Sequence, residues 1–115
     1  MVELSLLKAL STRDAYFNYI KLLNPKTLAT ESLQILNAYR DYFSSRSVDE
    51  VDFNDFKSYF FIERNPNLDE KSIDKYNLVI DKLIQTEVTD NVKHLLNAFK
   101  QQEFYNKLHD DLDQN

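Results

Sequence analysis

Apolar residues recur along this chain at three- and four-residue steps, the spacing that lines one face of an α-helix. Leu4, Leu7 and Leu10, with Leu6 beside them, mark a first short helix over 3–10. Ser11 and Thr12 offer hydroxyl oxygens as N-caps for a second helix over 13–23. There Phe17, Ile20 and Leu22 or Leu23 form the stripe, flanked by Tyr16 and Tyr19. Asn24 and Pro25 end it, because a residue before proline is pushed out of the α region. Thr30 is the expected cap of a third helix running to about Ser44. Leu33, Leu36, Tyr39 or Arg40, and Phe43 point inward on it, and Ile35 and Tyr42 widen the stripe.

A polar connector, 44–47, leads to a strongly aromatic fourth helix. Asp52 precedes Phe53 and Asp55 follows three residues on, a capping-box-like start with acids at the positive helix end. Phe53, Phe56, Tyr59 and Phe60 are its core candidates, and Asn65 and Pro66 stop it. Residues 59–62 are Tyr, Phe, Phe and Ile, and a helix cannot turn all four into one core. Either this helix is buried on two sides, or Phe61 or Tyr59 anchors an interface.

A fifth helix starts at Leu68 and Asp69 and carries Ile73, Tyr76, Ile80, Leu83 and Ile84. Thr89 or Asp90 is the expected cap of a sixth, whose Val92, Leu95, Leu96 and Phe99 form an inward stripe. Phe104, Leu108 and Leu112 continue at i+4 steps, out of phase across 100–103, so the later half is expected to face a partner. The pattern predicts an all-α fold, a compact bundle of about six helices forming a single domain over 1–115.

Composition sharpens that picture. The chain holds no glycine, where about 7% is usual. Tight hairpins, Walker A loops and dinucleotide-binding fingerprints all need glycine for positive φ or close backbone approach. Helices do not. With no cysteine, disulfides and thiolate metal sites are excluded. The net charge of −5, with basic residues scattered, argues against tight DNA or RNA binding. No apolar run approaches a membrane span or a long signal-peptide core, so a cytoplasmic protein is expected.

Candidate chemistry is sparse. His94 and His109 stand fifteen residues apart, outside any HExxH spacing. Asp49, Glu50, Asp52 and Asp55 lack the glycine and the twelfth-position Glu of a calcium loop, and N-capping accounts better for Asp52 and Asp55. No catalytic, cofactor or metal residue is assigned, and no enzyme activity is expected of this domain. The expected contact face is Phe99, Phe104, Tyr105 and Leu108 on the last helix, with Phe61 as a second anchor.

Five runs in order then carry a resemblance: ELSLLKAL at 3–10, LNPKTL at 23–28, ILNAYRDYF at 35–43, VDFNDF at 51–56 and RNPNL at 64–68. Over roughly residues 3 to 100 the chain resembles the N-terminal domain of DnaB-type replicative helicases, in the form found in bacteriophages. The resemblance implies a compact helical unit, followed in that family by a helical hairpin and an ATP-dependent motor. Such N-terminal domains pair into a collar on a hexameric ring and offer surfaces to primase or to a helicase loader. The implied partners are therefore proteins: a homo-oligomer, a primase or a loader. The alternative is a small stand-alone phage or bacterial regulator that binds a host protein through the same helical face. A reading frame continuing into a Gly-rich Lys-Ser/Thr loop distinguishes the first from the second.

Overall fold

The computed structural model describes the backbone of residues 2–88 and 91–113 and the side chains of residues 2–88 and 91–102. The described residues form six α-helices and no strand: α1 (Val2–Ala9), α2 (Arg13–Tyr19), α3 (Thr30–Ser45), α4 (Phe53–Ser58), α5 (Glu70–Gln85) and α6 (Val92–Asp113). Single 3₁₀ turns at Ile20–Leu22 and Pro25–Thr27 connect α2 to α3, and α4 runs on into a π-helical turn, Tyr59–Arg64. The all-α bundle expected from the periodicity is what the chain adopts.

Helix starts follow the side-chain oxygens. Thr12 Oγ1 accepts the amide of Ala15, Asp52 Oδ1 those of Asn54 and Asp55, and Asp69 Oδ1 that of Ser72. Two caps differ from expectation. Ala29, rather than Thr30, is the extended N-cap of α3, and its amide donates to Glu3 Oε1 at 3.1 Å. A carboxylate from α1 thus does for α3 what the third residue of a capping box does within one helix. At α6 the cap is Asn91, whose Oδ1 accepts the amide of His94 at 2.9 Å; Thr89 and Asp90 lie outside the described residues.

Helix ends pose a harder problem, because the last carbonyls of a helix have no partner within it. The usual solution is a residue at positive φ, most often glycine. None of the described residues has positive φ. Instead α3 and α5 end on extended residues, Arg46 and Thr86. Cations from elsewhere reach their carbonyls. Arg13 Nη2 donates to the carbonyls of Phe43 and Arg46, both at 2.8 Å, and its Nε to that of Val48 at 2.9 Å. The guanidinium also lies 5.2 Å from the Phe43 ring centroid. Lys8 Nζ donates to the carbonyls of Leu83 (2.9 Å) and Ile84 (3.4 Å) and stands 4.5 Å from the Phe53 ring centroid. Hydroxyls assist: Ser11 bonds back to Lys8, Ser45 to Tyr42 and Thr86 to Lys82.

The core collects Leu6, Leu7 and Leu10 of the α1 region, Ile35, Leu36, Ala38, Tyr39, Tyr42 and Phe43 of α3, Phe56 of α4, and Ile80 and Leu83 of α5. Leu95, Leu96 and Phe99 of α6 close it over α1. Tyr39 is wholly buried, and its hydroxyl donates to the Leu7 carbonyl at 3.0 Å, which satisfies the one polar atom it carries inward. An antiparallel bridge between Thr12 and Glu50 joins the loop before α2 to the loop before α4. Its two bonds run from Arg13 to the Asp49 carbonyl and from Val51 to the Ser11 carbonyl.

On α2 the structure departs from the sequence reading at Phe17, while Ile20 and Leu23 pack against the core as read. Tyr16 faces inward, with ring centroids 6.4 Å from Tyr39 and 6.1 Å from Phe43, while Phe17 is 47% exposed. The helix tightens to a 3₁₀ turn over Ile20–Leu22, and of the two residues offered to end the stripe Leu23 is buried and Leu22 exposed.

The Arg13 contacts generate a prediction. Arg13→Met leaves three carbonyl bonds unmade and should lower unfolding free energy by about 2–3 kcal/mol, as for hydrogen bonds to a charged group. Arg13→Lys should recover only part of this, because an ammonium cannot fork across three carbonyls. Urea melts of the three proteins decide it; a Met variant as stable as the parent would refute the capping role.

Candidate interaction surface

Two open depressions mark the surface. One, of about 510 Å³, is lined by Thr12, Arg13, Asp14, Asp49 and Glu50 at the antiparallel bridge. Its carboxylates stand exposed, and the Arg13 guanidinium is turned toward helix carbonyls. The other, of about 280 Å³, lies between α1, the start of α3 and α5, with Leu4, Ala29 and Val79 as its apolar lining and Glu3, Glu31 and Lys82 around it. Glu31 is also paired with Lys75 of α5. Among the described residues no group of three or more His, Asp or Glu is placed to hold a metal ion.

The polar cluster with the most distinct chemistry sits where α3 ends. The Arg46 guanidinium lies 4.9 Å from the ring centroids of both Tyr42 and Tyr59. Its Nε bonds Asp55 at 2.7 Å and its Nη2 bonds Glu63 at 2.9 Å. Tyr42 donates its hydroxyl to the same Asp55 oxygen at 2.9 Å. Asp55 is the acid in the first turn of α4, as read, and its carboxylate also ties α4 to the end of α3. Exposed ion pairs contribute little individually. The flanking rings add cation–π attraction and fix the guanidinium plane.

This cluster perturbs its acids and phenols. Burial first, and then the Asp55 carboxylate, push the Tyr42 hydroxyl up to about 12. Hydrogen bonds from Tyr42 and Arg46 hold Asp55 below the usual carboxylate range. The signs differ. A depressed carboxyl stabilises the fold above its unfolded value and loses that contribution as pH falls through its folded value. A raised phenol stabilises below about 10, its unfolded value, and that contribution disappears as pH rises through about 12.

The residues expected to meet a partner are placed unevenly. Phe99 is 6% exposed and packs in the core, which corrects its assignment to the contact face. The reason is phase: it shares one face of α6 with Leu95 and Leu96, four and three residues earlier. Phe61 is half-buried, edge-on to Phe60 with centroids 5.2 Å apart. Helix α6 continues without a break to Asp113, so the change of phase at 100–103 is not a helix end. The side chains of Phe104, Tyr105 and Leu108 lie outside the described residues.

Sequence reasoning missed Ile62, which is 71% exposed on the π turn, and the exposed Phe17, Leu22 and Leu78. The run of four large apolar residues was the available signal for Ile62; the π turn that decides which of the four faces out has no sequence signature. No helix among the described residues is long and apolar enough to cross a membrane. Comparison with protein-family models, curated proteins and solved structures gives no match.

Two predictions follow from this placement. Phe99→Ala should cost about 3–5 kcal/mol, the range for emptying a buried aromatic site, as read by chemical denaturation; a change under about 1 kcal/mol, the size usual at surface sites, would return Phe99 to the surface. Tyr42→Phe should remove one phenol titrating near 12 from the ultraviolet tyrosinate curve and raise the Asp55 pKa. It should also flatten the loss of stability on the alkaline side. An unchanged curve above pH 11 would show that the hydroxyl is not held as described.

Proposed function

We propose that this chain is a non-catalytic assembly and docking domain, acting through protein–protein contacts in a DnaB-type replicative helicase of a bacteriophage. In this reading it oligomerises with its own kind and docks a primase or a helicase loader in the host cytoplasm. The observation that carries the proposal is the character of the surface. Large apolar side chains, Phe17, Leu22, Ile62 and Leu78 among them, are left exposed, whereas Lys8, Arg13 and Arg46 are engaged in holding helix ends and connections. Interfaces are rich in such apolar and aromatic anchors, and a few of them dominate affinity. The order of the five sequence runs, from 3–10 to 64–68, supports the helicase assignment. The acidic balance of −5 supports protein partners over a nucleic-acid backbone.

The test uses the full chain. Light scattering should detect self-association, or titration with a phage primase or loader should detect binding. Phe104→Asp should weaken that contact by about tenfold or more, equivalent to about 1.4 kcal/mol. A strictly monomeric chain whose partner binding is untouched by this substitution would count against the proposal.

A further inference from the structure

Arg64 is the last residue of the π turn, and turns of that kind recur at functional sites. Its backbone is held firmly. Asn65, the next residue, donates both its amide and its side-chain Nδ2 to the Phe60 carbonyl, at 3.0 and 3.1 Å, and Pro66 follows. The Arg64 side chain is 21% exposed and meets one carboxylate, that of Asp41, through Nη1. Arg40, the neighbour of Asp41 on α3, reaches the other oxygen of that carboxylate with its Nε, at 3.2 Å.

Two guanidiniums thus share one acid. Arg40 Nη1 and Nη2, and Arg64 Nε and Nη2, have no partner among the described residues. Arg40 is exposed, and the free nitrogens of Arg64 are open to solvent. The other two arginines are engaged: Arg13 on three carbonyls, and Arg46 on Asp55, Glu63 and two rings. Both guanidiniums stay charged at neutral pH. Burial first, and then the Arg40 charge, lower Arg64 from the usual guanidinium range. In a chain of net charge −5, this trio sets two cations against one anion. One further carboxylate neutralises it, whereas a phosphate dianion overshoots and crowds Asp41 with like charge. A guanidinium fork grips a carboxylate with two parallel N–H bonds.

We propose that Arg40 and Arg64 form a docking site for a carboxylate side chain of a protein partner. Ile62, 71% exposed in the same turn, supplies an apolar neighbour, so the segment taken up carries an acid beside an apolar residue. The inference rests on the reading of this domain as a protein-docking unit and names the chemistry that one partner presents.

The test follows the arginine Nε–H signals of the full chain by NMR at fixed ionic strength. The probes are the blocked tripeptide Leu-Glu-Leu, its Leu-Gln-Leu counterpart and inorganic phosphate. The Glu peptide should shift the Arg40 and Arg64 signals together and to saturation, with Arg13 and Arg46 unmoved, and the Gln peptide should shift none. Arg40→Gln, at an exposed position, should weaken the Glu peptide about fivefold, equivalent to about 1 kcal/mol. Shifts that do not saturate, an equal response to the Gln peptide, or tighter binding of phosphate than of the Glu peptide overturns the proposal. A chain that self-associates through α6 yet gives no saturable shift loses this site and keeps the docking reading, so the two fail separately.

Discussion

The fold depends on how helix carbonyls are satisfied in a chain that has no glycine. Each helix ends with unpartnered carbonyls, and an unpaired one buried against the core costs about as much as a lost hydrogen bond. Here Arg13 and Lys8 bring cationic donors from the first two helices to the ends of α3 and α5. The contacts are long-range in sequence, so terminating each helix requires the correct neighbour to be in place. Local structure and tertiary packing are coupled at those two points. Glu3 does the same at the start of α3, where it accepts the Ala29 amide.

This arrangement shapes the surface as well as the interior. Cations engaged with carbonyls, rings and carboxylates are unavailable to grip a phosphate backbone, and the chain keeps its acidic excess. The aromatic residues separate into two groups. Tyr16, Tyr39, Tyr42, Phe43, Phe56, Tyr59 and Phe60 form a connected, largely edge-to-face network inside. Phe17 and Phe61 sit at its margins, touching the network with one side and open on the other. Side chains of this marginal kind are reachable from solvent without first being extracted from the core.

Much of the architecture was legible in the sequence, and the failures are instructive. The six helices, the Thr12 and Asp52 caps, and the buried stripes of α1, α3 and the first half of α6 all follow from periodicity and capping chemistry. On α2 Phe17 was read into the stripe where Tyr16 is the buried ring, although Ile20 and Leu23 pack against the core as read. Ala29 could not be read as a cap, since its partner Glu3 is twenty-six residues away. Phe99 was grouped with residues that follow it in sequence, although its i−3 and i−4 neighbours, Leu96 and Leu95, placed it in the core. Arg13, Lys8 and Arg46 left no pattern at all. Backbone carbonyls have no letter in a sequence, so the partners of Arg13 and Lys8 cannot be found by matching residue types, and Arg46 meets Asp55 and Glu63 nine and seventeen residues away on another element.

The absence of glycine has a further consequence, on the unfolded side of the equilibrium. A glycine in a disordered chain explores far more backbone conformations than any other residue, and replacing one at a compatible site stabilises by about 0.4–1 kcal/mol through that ensemble alone. A sequence that closes its helices with lysine and arginine instead of glycine begins folding from a narrower population of disordered conformers. The same residues that cap the helices therefore also limit the entropy the chain must surrender to reach them.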